Sequence, residues 1–216
     1  MPELPDVVVY VESLERHVRG ATLTGVRLAS PFLLRTVDPP IASVVGTRVL
    51  GVERLGKRIA LAMEHDRFVV FHLMIAGRLR WKEPHAKIPG RLGLAAFDFD
   101  DGTLLLTEAA SKKRAALHVV QGRAALAALG PVGLEVLAAD LDAFRAALAR
   151  ERHTLKRTLT DPRILSGIGN AYSDEILHRA RLSPVRLSDS LDDAEIARLY
   201  DACRAILTEW TERHAS

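Results

Sequence analysis

Residues 155–177 read LKRTLTDPRILSGIGNAYSDEIL, and this stretch holds the first informative feature of the chain. Asp161 followed by Pro162 is a typical helix start, because a capping side chain precedes a proline at the first helical position. The glycine-rich turn at 166–170 then separates two short helices. Such a turn suits a bound phosphate, since glycines permit close approach and a helix start offers N–H donors. It equally suits a tight corner between two packed helices.

The first half of the chain is predicted to be rich in β-strands. Asp101-Gly102 lies between two apolar runs, and an Asp-Gly step in that position is a hairpin signal. Strands this short and closely spaced favour an antiparallel sandwich or barrel over a parallel sheet. The predicted strands are Thr22–Leu28, Arg48–Leu55, Ile59–Glu64, Phe68–Leu73, Gly93–Phe99, Thr103–Thr107 and Ala116–Val120.

Helices are predicted at both ends of the chain. Apolar residues recur at helical spacing over residues 4–18, where Pro5 is tolerated because it falls in the first turn. In the second half, Asp140 can cap one helix, and apolar residues between 196 and 210 form one face of a last helix.

These patterns predict an α+β protein of two domains. Residues 1–122 would form an N-terminal domain with one helix and an antiparallel β-sandwich, and residues 139–216 would form a helical domain. Residues 123–138 would link them, because this segment is broken by Gly130-Pro131 and Gly133.

Composition excludes several classes of protein. Hydrophobic residues make up 48% of the 216 residues and charged residues 26%, as in globular proteins. The one cysteine cannot form an internal disulfide or a zinc finger of the usual kind. No signal peptide or long apolar run occurs, so we expect a cytoplasmic protein with no membrane contact. The histidine spacing predicts no metal site, and no glycine pattern predicts a nucleotide cofactor.

Positive charge is concentrated in two stretches. Residues 54–91 contain nine Lys or Arg against three acids, and residues 151–186 contain seven against four. Two basic stretches in different halves of the chain would suit a ligand that carries many phosphates. The alternative is a pair of solvated faces with no ligand.

The stretch 155–177, with Arg179-Ala180 beyond it, closely resembles the helix-two-turn-helix module of the formamidopyrimidine-DNA glycosylase and endonuclease VIII family. The N-terminal residues Pro2-Glu3-Leu4-Pro5-Asp6 are similar to the N-terminus of the same family. The two motifs lie at opposite ends of the chain with a β-rich segment between them, so the resemblance covers nearly all of it. It implies a two-domain bifunctional repair enzyme that binds DNA between a β-sandwich and a helical domain.

The resemblance assigns Pro2 as the nucleophile once Met1 has been removed. A terminal proline is a secondary amine, so its adduct with the C1′ of a ring-opened deoxyribose is an iminium that acts as an electron sink. Glu3 corresponds to the acid/base of the family. Without the second motif, the preferred interpretation of Pro2-Glu3 is a rigid helix start with an acid near its positive end.

Further site residues follow from the same resemblance. Lys57 corresponds to a lysine on a β-turn near the lesion, with an ordinary exposed lysine as the alternative. Ile75 occupies the position of a side chain, usually Met, that fills the gap left by an everted base. Phosphates would be held by Lys57, His72, Lys156, Asn170 and the backbone between Gly167 and Gly169.

The chain departs from the family pattern in several places, which include Asp6, where the family commonly has Glu. The family loop that contacts the opposite strand contains an arginine and a phenylalanine, whereas residues 108–115 here read EAASKKRA. Lys112, Lys113 and Arg114 could still hold the DNA backbone. The sequence also stops at Ser216, where the family continues into a zinc or zincless finger, so we expect no zinc finger in these residues.

The sequence therefore predicts a bacterial DNA repair enzyme that acts on double-stranded DNA at abasic or damaged-base sites by Schiff-base formation and β-elimination, with δ-elimination as a further step. It is expected to need no cofactor, to be a monomer, and to reside in the cytoplasm with the nucleoid. The alternative is a non-catalytic DNA-binding paralogue that recognises bent, gapped or abasic DNA.

Overall fold

The structure, a computed structural model, describes all 216 residues and divides into two compact units. Unit 1 comprises residues 1–2 and 10–130, and unit 2 comprises residues 3–9 and 131–216. The predicted domain limits, 1–122 and 139–216, stay a prediction. The two units differ from those limits at the N-terminus, because residues 3–9, the first turns of the N-terminal helix, belong to unit 2.

Unit 1 contains two four-stranded antiparallel sheets, which confirms the predicted α+β class with an antiparallel β-sandwich. The first sheet has the strand order β1-β6-β7-β5 and the second has the order β2-β3-β4-β8. The strands are β1 (Gly25–Leu28), β2 (Val49–Leu55), β3 (Arg58–Met63), β4 (Arg67–His72), β5 (Gly77–Lys82), β6 (Gly93–Asp98), β7 (Thr103–Glu108) and β8 (Ala116–Gln121).

The core of unit 1 lies where inward-facing side chains of the two sheets meet. Phe71 of the second sheet contacts Phe97 of the first edge to face, with ring centroids 5.0 Å apart. Both rings are fully buried, as is usual for large aromatic side chains. The turn at 100–102 joins β6 to β7, so the predicted hairpin is confirmed.

A short helix, α2 (Arg123–Leu129), lies in the segment that the sequence assigned to a linker. Its Leu126 packs against Phe68, Val70 and Val120 on the outer face of the second sheet. Cross-strand partners lie on the same face of a sheet, and side chains two residues apart along a strand share that face. The outer face therefore also includes Arg58, at the start of β3, and its partner His72, at the end of β4.

Unit 2 contains the start of α1 (Leu4–Val18) and four further helices. These are α3 (Leu141–Leu148), α4 (Leu155–Thr160), α5 (Asn170–Ala180) and α6 (Asp193–Ala215). Asp140 caps α3 by accepting from the Ala143 N–H, as predicted. The helix predicted after Asp161-Pro162 is instead a single turn, closed by the Ile164 and Leu165 N–H groups on the Asp161 carbonyl. No helix combines the length and the apolar character that crossing a bilayer requires.

Candidate nucleic-acid interface and catalytic turn

Strand register brings several connecting segments of unit 1 to the same end of its sheets. In the second sheet, Arg58 pairs with His72 and His72 pairs with Ala116. The turn before β3, the loop after β4 and the loop before β8 therefore lie at the same end of the second sheet. In the first sheet, Gly77 at the start of β5 pairs with Glu108 at the end of β7. The loop from β4 to β5 and the loop from β7 to β8 therefore lie side by side where they join the first sheet as well.

A further segment reaches this end along the outer edge of β8. The Leu117 N–H donates to the Leu33 carbonyl and the Arg35 N–H donates to the Leu117 carbonyl, both at 2.9 Å. Residues 33–35 thus continue the second sheet beyond β8, its last strand. We call these four segments the loop end: residues 29–36, 56–57, 73–76 and 109–115.

The loop end is strongly basic and contains no acidic residue. Two apolar side chains protrude from it: Phe32 is 81% exposed and Ile75 is 53% exposed. Cations surrounding exposed apolar side chains are typical of a nucleic-acid interface, where the cations contact phosphates and the apolar groups contact bases. The cations of the loop end are Arg35, Lys57, Lys112, Lys113 and Arg114.

His72, predicted to contact phosphate, lies half-buried at the end of β4 among positive charges. Burial, together with the charges of Arg58, Lys57 and His118, lowers the pKa of His72 to about 4. The imidazole is therefore neutral at physiological pH and can act as a hydrogen-bond donor but not as a cation.

Arg58 and His118 add unsatisfied polar atoms to this region. Arg58 Nε and His118 Nδ1 are both buried and have no hydrogen-bond partner. Burial lowers the pKa of His118 as well, with the charges of Arg58 and Arg35 contributing. Because buried polar groups are normally paired, this region suits an added anionic or polar group.

Glu108 shapes the loop that carries Lys112, Lys113 and Arg114. Its buried carboxylate accepts from the backbone N–H groups of Arg114 and Ala115, at 3.0 and 3.2 Å. The Lys113 ammonium donates to the Glu108 carbonyl. The three basic residues are exposed. Sequence reasoning missed Glu108 as an anchor, because nothing in the local pattern distinguishes it from a surface acid.

Glu3 lies in unit 2 and is 2% exposed. Its carboxylate accepts three backbone hydrogen bonds, from Gly169 at 2.8 Å, Ala171 at 3.0 Å and Tyr172 at 3.2 Å. These donors belong to the start of α5, where N–H groups have no partner within the helix and favour negative charge. Pro2, which directly precedes Glu3, is also buried.

The two glycines of the turn at 166–170 are required by this arrangement. A Cβ added to Gly169 would lie 2.6 Å from Glu3 Oε1, and one added to Gly167 would lie 2.9 Å from the Leu4 Cβ. Gly167 also has a φ of +84° and accepts a hydrogen bond from the Leu4 N–H at 2.8 Å. Because the Gly169 N–H is engaged by Glu3, it is not available for the phosphate contact that the sequence predicted.

A second group of side chains surrounds residues 2–6, which we call the N-terminal turn. Asp6 accepts from the Glu3 N–H at 2.8 Å and lies 3.5 Å from His214 Nε2. The same imidazole nitrogen is 2.9 Å from the Tyr172 hydroxyl. Burial and the charges of Asp6 and Glu3 raise the pKa of Tyr172 to about 12, so its hydroxyl stays protonated. No sequence pattern indicated this network, since Tyr172 and His214 are 42 residues apart.

Lys156 and Asn170, predicted to contact phosphate, lie close together in unit 2. The Lys156 ammonium donates to the Asn170 carbonyl at 2.9 Å and to Asp174 Oδ1 at 2.5 Å. The Asn170 side chain is exposed. Lys156 therefore has an internal anionic partner that a phosphate would have to replace.

One group of potential metal ligands occurs, although the sequence predicted none. Ligand atoms of Glu151, His153 and Asp161 all lie within 4.8 Å of one another. The Arg163 guanidinium is 2.7 Å from Asp161 Oδ2 and 3.6 Å from Glu151 Oε2. A cation of the protein thus already compensates both carboxylates.

Comparison with protein families gives two matches in succession along the chain. The formamidopyrimidine-DNA glycosylase N-terminal domain matches residues 1–113, and the formamidopyrimidine-DNA glycosylase H2TH domain matches residues 129–216. A formamidopyrimidine-DNA glycosylase of Heliobacterium modesticaldum is 36% identical over 97% of this chain and 78% of that protein. One of Chloroflexus aurantiacus is 33% identical over 97% of this chain and 76% of that protein.

Solved structures show the same architecture. The MutM (Fpg) protein of Thermus thermophilus has a TM-score of 0.86 and 33% identity, covering 100% of this chain and 78% of that one. A Lactococcus lactis formamidopyrimidine-DNA glycosylase, solved non-covalently bound to DNA that contains an AP site, has a TM-score of 0.89 and 23% identity. That alignment covers 99% of this chain and 83% of the other and shows a shared fold.

Proposed function

Because the chain belongs to the formamidopyrimidine-DNA glycosylase family, we propose that it is a base-excision repair enzyme that cleaves DNA at abasic or damaged-base sites. The observation that carries this proposal is the buried Glu3 carboxylate, held by three backbone N–H donors directly after Pro2. A buried acid with a fixed orientation next to a secondary amine is suited to Schiff-base chemistry.

Pro2 acts as the nucleophile after removal of Met1. The amine nitrogen attacks C1′ of the deoxyribose, and loss of water gives an iminium between the nitrogen and C1′. The iminium accepts the electron pair released when a base removes the 2′ proton, and the bond from C3′ to the phosphate oxygen breaks. Hydrolysis of the iminium, either directly or after a second elimination that expels the 5′ phosphate, then releases the enzyme. The same nitrogen displaces a damaged base when it attacks an intact nucleotide.

Glu3 transfers the protons that these steps require. Protonation of the sugar ring oxygen opens the ring, and the resulting carboxylate can take up a proton in a later step. The three N–H donors keep the carboxylate in one orientation, so it needs no reorganisation during the reaction.

The loop end would bind the DNA backbone and the gap at the lesion. Lys57, Lys112, Lys113 and Arg114 would contact phosphates through their charge, and neutral His72 would donate a hydrogen bond to a phosphate oxygen. Ile75, exposed on the loop between β4 and β5, would fill the space left by an everted nucleotide.

Unit 2 would contribute further phosphate contacts through Lys156 and the exposed side chain of Asn170. We assign the Gly167 and Gly169 backbone chiefly to holding Glu3 and Leu4, because those contacts are made within the chain. We place the enzyme in the cytoplasm, as a monomer associated with the nucleoid, where its substrate is found.

Borohydride reduction in the presence of DNA with an aldehydic abasic site tests the proposal. The enzyme should become covalently attached to the DNA through residue 2, and its intact mass should show the loss of Met1. Pro2→Gly should reduce strand cleavage strongly and leave DNA affinity nearly unchanged. DNA binding by a protein that retains Met1 and forms no covalent adduct would favour the binding-only alternative.

A further inference from the structure

Phe32 differs from every other phenylalanine of the chain. It is 81% exposed, whereas each of the other five is no more than 2% exposed. Exposing a whole aromatic ring to water forgoes the burial that normally stabilises such a side chain. The ring is therefore suited to a partner outside the chain.

The backbone that displays Phe32 is firmly anchored. The Ser30 N–H donates to the Leu94 carbonyl at 3.2 Å, and the Leu33 N–H closes a turn on the Ser30 carbonyl at 3.3 Å. The next side chain, Leu33, is buried, and its carbonyl accepts from the Leu117 N–H at 2.9 Å. The ring is thus presented on a fixed turn, which lowers the entropic cost of using it in binding.

Strand order separates the backbone of this turn from the strand that leads to the predicted wedge residue Ile75. The turn lies beside β8, and β8 lies beside β4, which leads into the Ile75 loop. Two steps between neighbouring strands amount to about 10 Å. Phe32 and Ile75 are therefore displayed from different backbone segments of the loop end, and each is a separate candidate for a base contact.

The surroundings of Phe32 favour a nucleic-acid base as its partner. Arg35 lies three residues away, and Lys112, Lys113 and Arg114 occupy the loop that leads into β8. An aromatic side chain among cations is the usual platform on which an unpaired base stacks. In a duplex with one everted or missing base, the base opposite has lost its partner and is the least costly one to unstack.

We propose that Phe32 stacks on the unpaired base of the strand opposite the lesion. This inference rests on the proposed function, because it requires a duplex with a lesion bound at the loop end. Phe32 is then a binding residue for the strand opposite the lesion.

A double-mutant cycle, in which one change is made in the protein and one in the DNA, tests this contact. One duplex carries a tetrahydrofuran abasic analogue opposite adenine, and a second carries the analogue in both strands at the same position. Phe32→Ala should weaken binding to the first duplex by roughly 5- to 150-fold, the range to which the loss of one stacked base corresponds. It should leave binding to the second duplex unchanged, because that duplex has no base to stack on.

Two control variants make the result specific. Phe32→Trp keeps a stacking surface and should bind the first duplex as tightly as the wild type. Val37→Ala removes another exposed apolar side chain from the same connection and should change neither affinity. Because Phe32 is exposed, its truncation should leave the thermal unfolding midpoint unchanged.

Equal losses on both duplexes would assign Phe32 to a different base and overturn the inference, as would the absence of any loss. Borohydride trapping of the wild type on aldehydic DNA is measured alongside. If the wild type is trapped and Phe32→Ala binds both duplexes normally, the inferred stacking contact is wrong but the proposed function stands. If the wild type is never trapped, the proposed function fails whatever Phe32 does.

Discussion

The charged groups of the loop end and of the N-terminal turn differ in their exposure and in their hydrogen-bond partners. The five cations of the loop end are placed on connecting segments with no acid among them, so the surface that these segments form is positively charged. Glu3, in contrast, is buried, and both of its carboxylate oxygens are engaged by the backbone. Exposed charge is suited to attracting and holding DNA, whereas a buried and fully satisfied charge is suited to chemistry in a fixed geometry.

This difference predicts that changes at the N-terminal turn affect rate, and that changes at the loop end affect affinity. Gly169→Ala should give the largest effect. Its added Cβ would lie 2.6 Å from Glu3 Oε1 and would displace the carboxylate, so we expect strand cleavage to slow by about 100-fold. Single-turnover cleavage of abasic DNA measures this. Gly90→Ala is the matched control, because a Cβ there has open space. A normal rate for Gly169→Ala would show that the position of Glu3 is unimportant.

Simultaneous replacement of Lys112, Lys113 and Arg114 by alanine should have its main effect on binding. Each phosphate contact contributes about 0.9 to the slope of log affinity against log salt concentration, so the slope should become shallower by up to about 3. Titration of labelled duplex at several salt concentrations gives the slope. Lys82→Ala, at the opposite end of β5, should leave it unchanged. An unaltered slope in the triple variant would remove these residues from the interface.

His72 should make the stability of the protein sensitive to acid. Its folded-state pKa of about 4 lies below the ordinary value of 6.5, so the folded protein binds fewer protons than the unfolded chain. The resulting stability is present above pH 6.5 and is lost as the pH falls toward 4, by at most about 1.4 kcal/mol per pH unit. Urea unfolding of the wild type and of His72→Asn at pH 7.5 and 5 measures this loss. We expect a smaller loss in the variant, and equal losses would contradict the assignment.

The smallest effect is expected at Lys156, because this lysine is already paired with Asp174 at 2.5 Å. Lys156→Ala should weaken DNA binding a few-fold for all sequences and reduce the salt slope by less than about 1. Asp174→Ala should do the reverse, since it leaves the ammonium available to a phosphate. Weaker binding by Asp174→Ala would show that the ion pair, rather than Lys156 alone, supports the interface.

The features that were predicted correctly depend on residues adjacent in sequence. The hairpin at 100–102 and the cap at Asp140 are local, and the predicted α+β class follows from the change of pattern near residue 122. Strand β5 was missed, because Arg78, Arg80 and Lys82 alternate with its inward-facing residues and give the segment a polar composition. Residues that alternate in and out of a sheet can be charged on one side without preventing strand formation.

The candidate site could be predicted only in part, for a related reason. Glu3 was identified through its motif, yet its hydrogen-bond partners lie 166 to 169 residues further along the chain. The glycines of the turn at 166–170 were assigned to phosphate or to packing, and neither interpretation included a carboxylate from the N-terminus. Local sequence patterns carry no information on contacts at such a separation, which are formed by tertiary packing.

The separation between Glu3 and its donors also affects the enzyme during its synthesis. A nascent chain that ends before Gly169 lacks all three backbone N–H groups that hold the Glu3 carboxylate. The orientation of the Glu3 carboxylate is therefore acquired only when most of the polypeptide has been made.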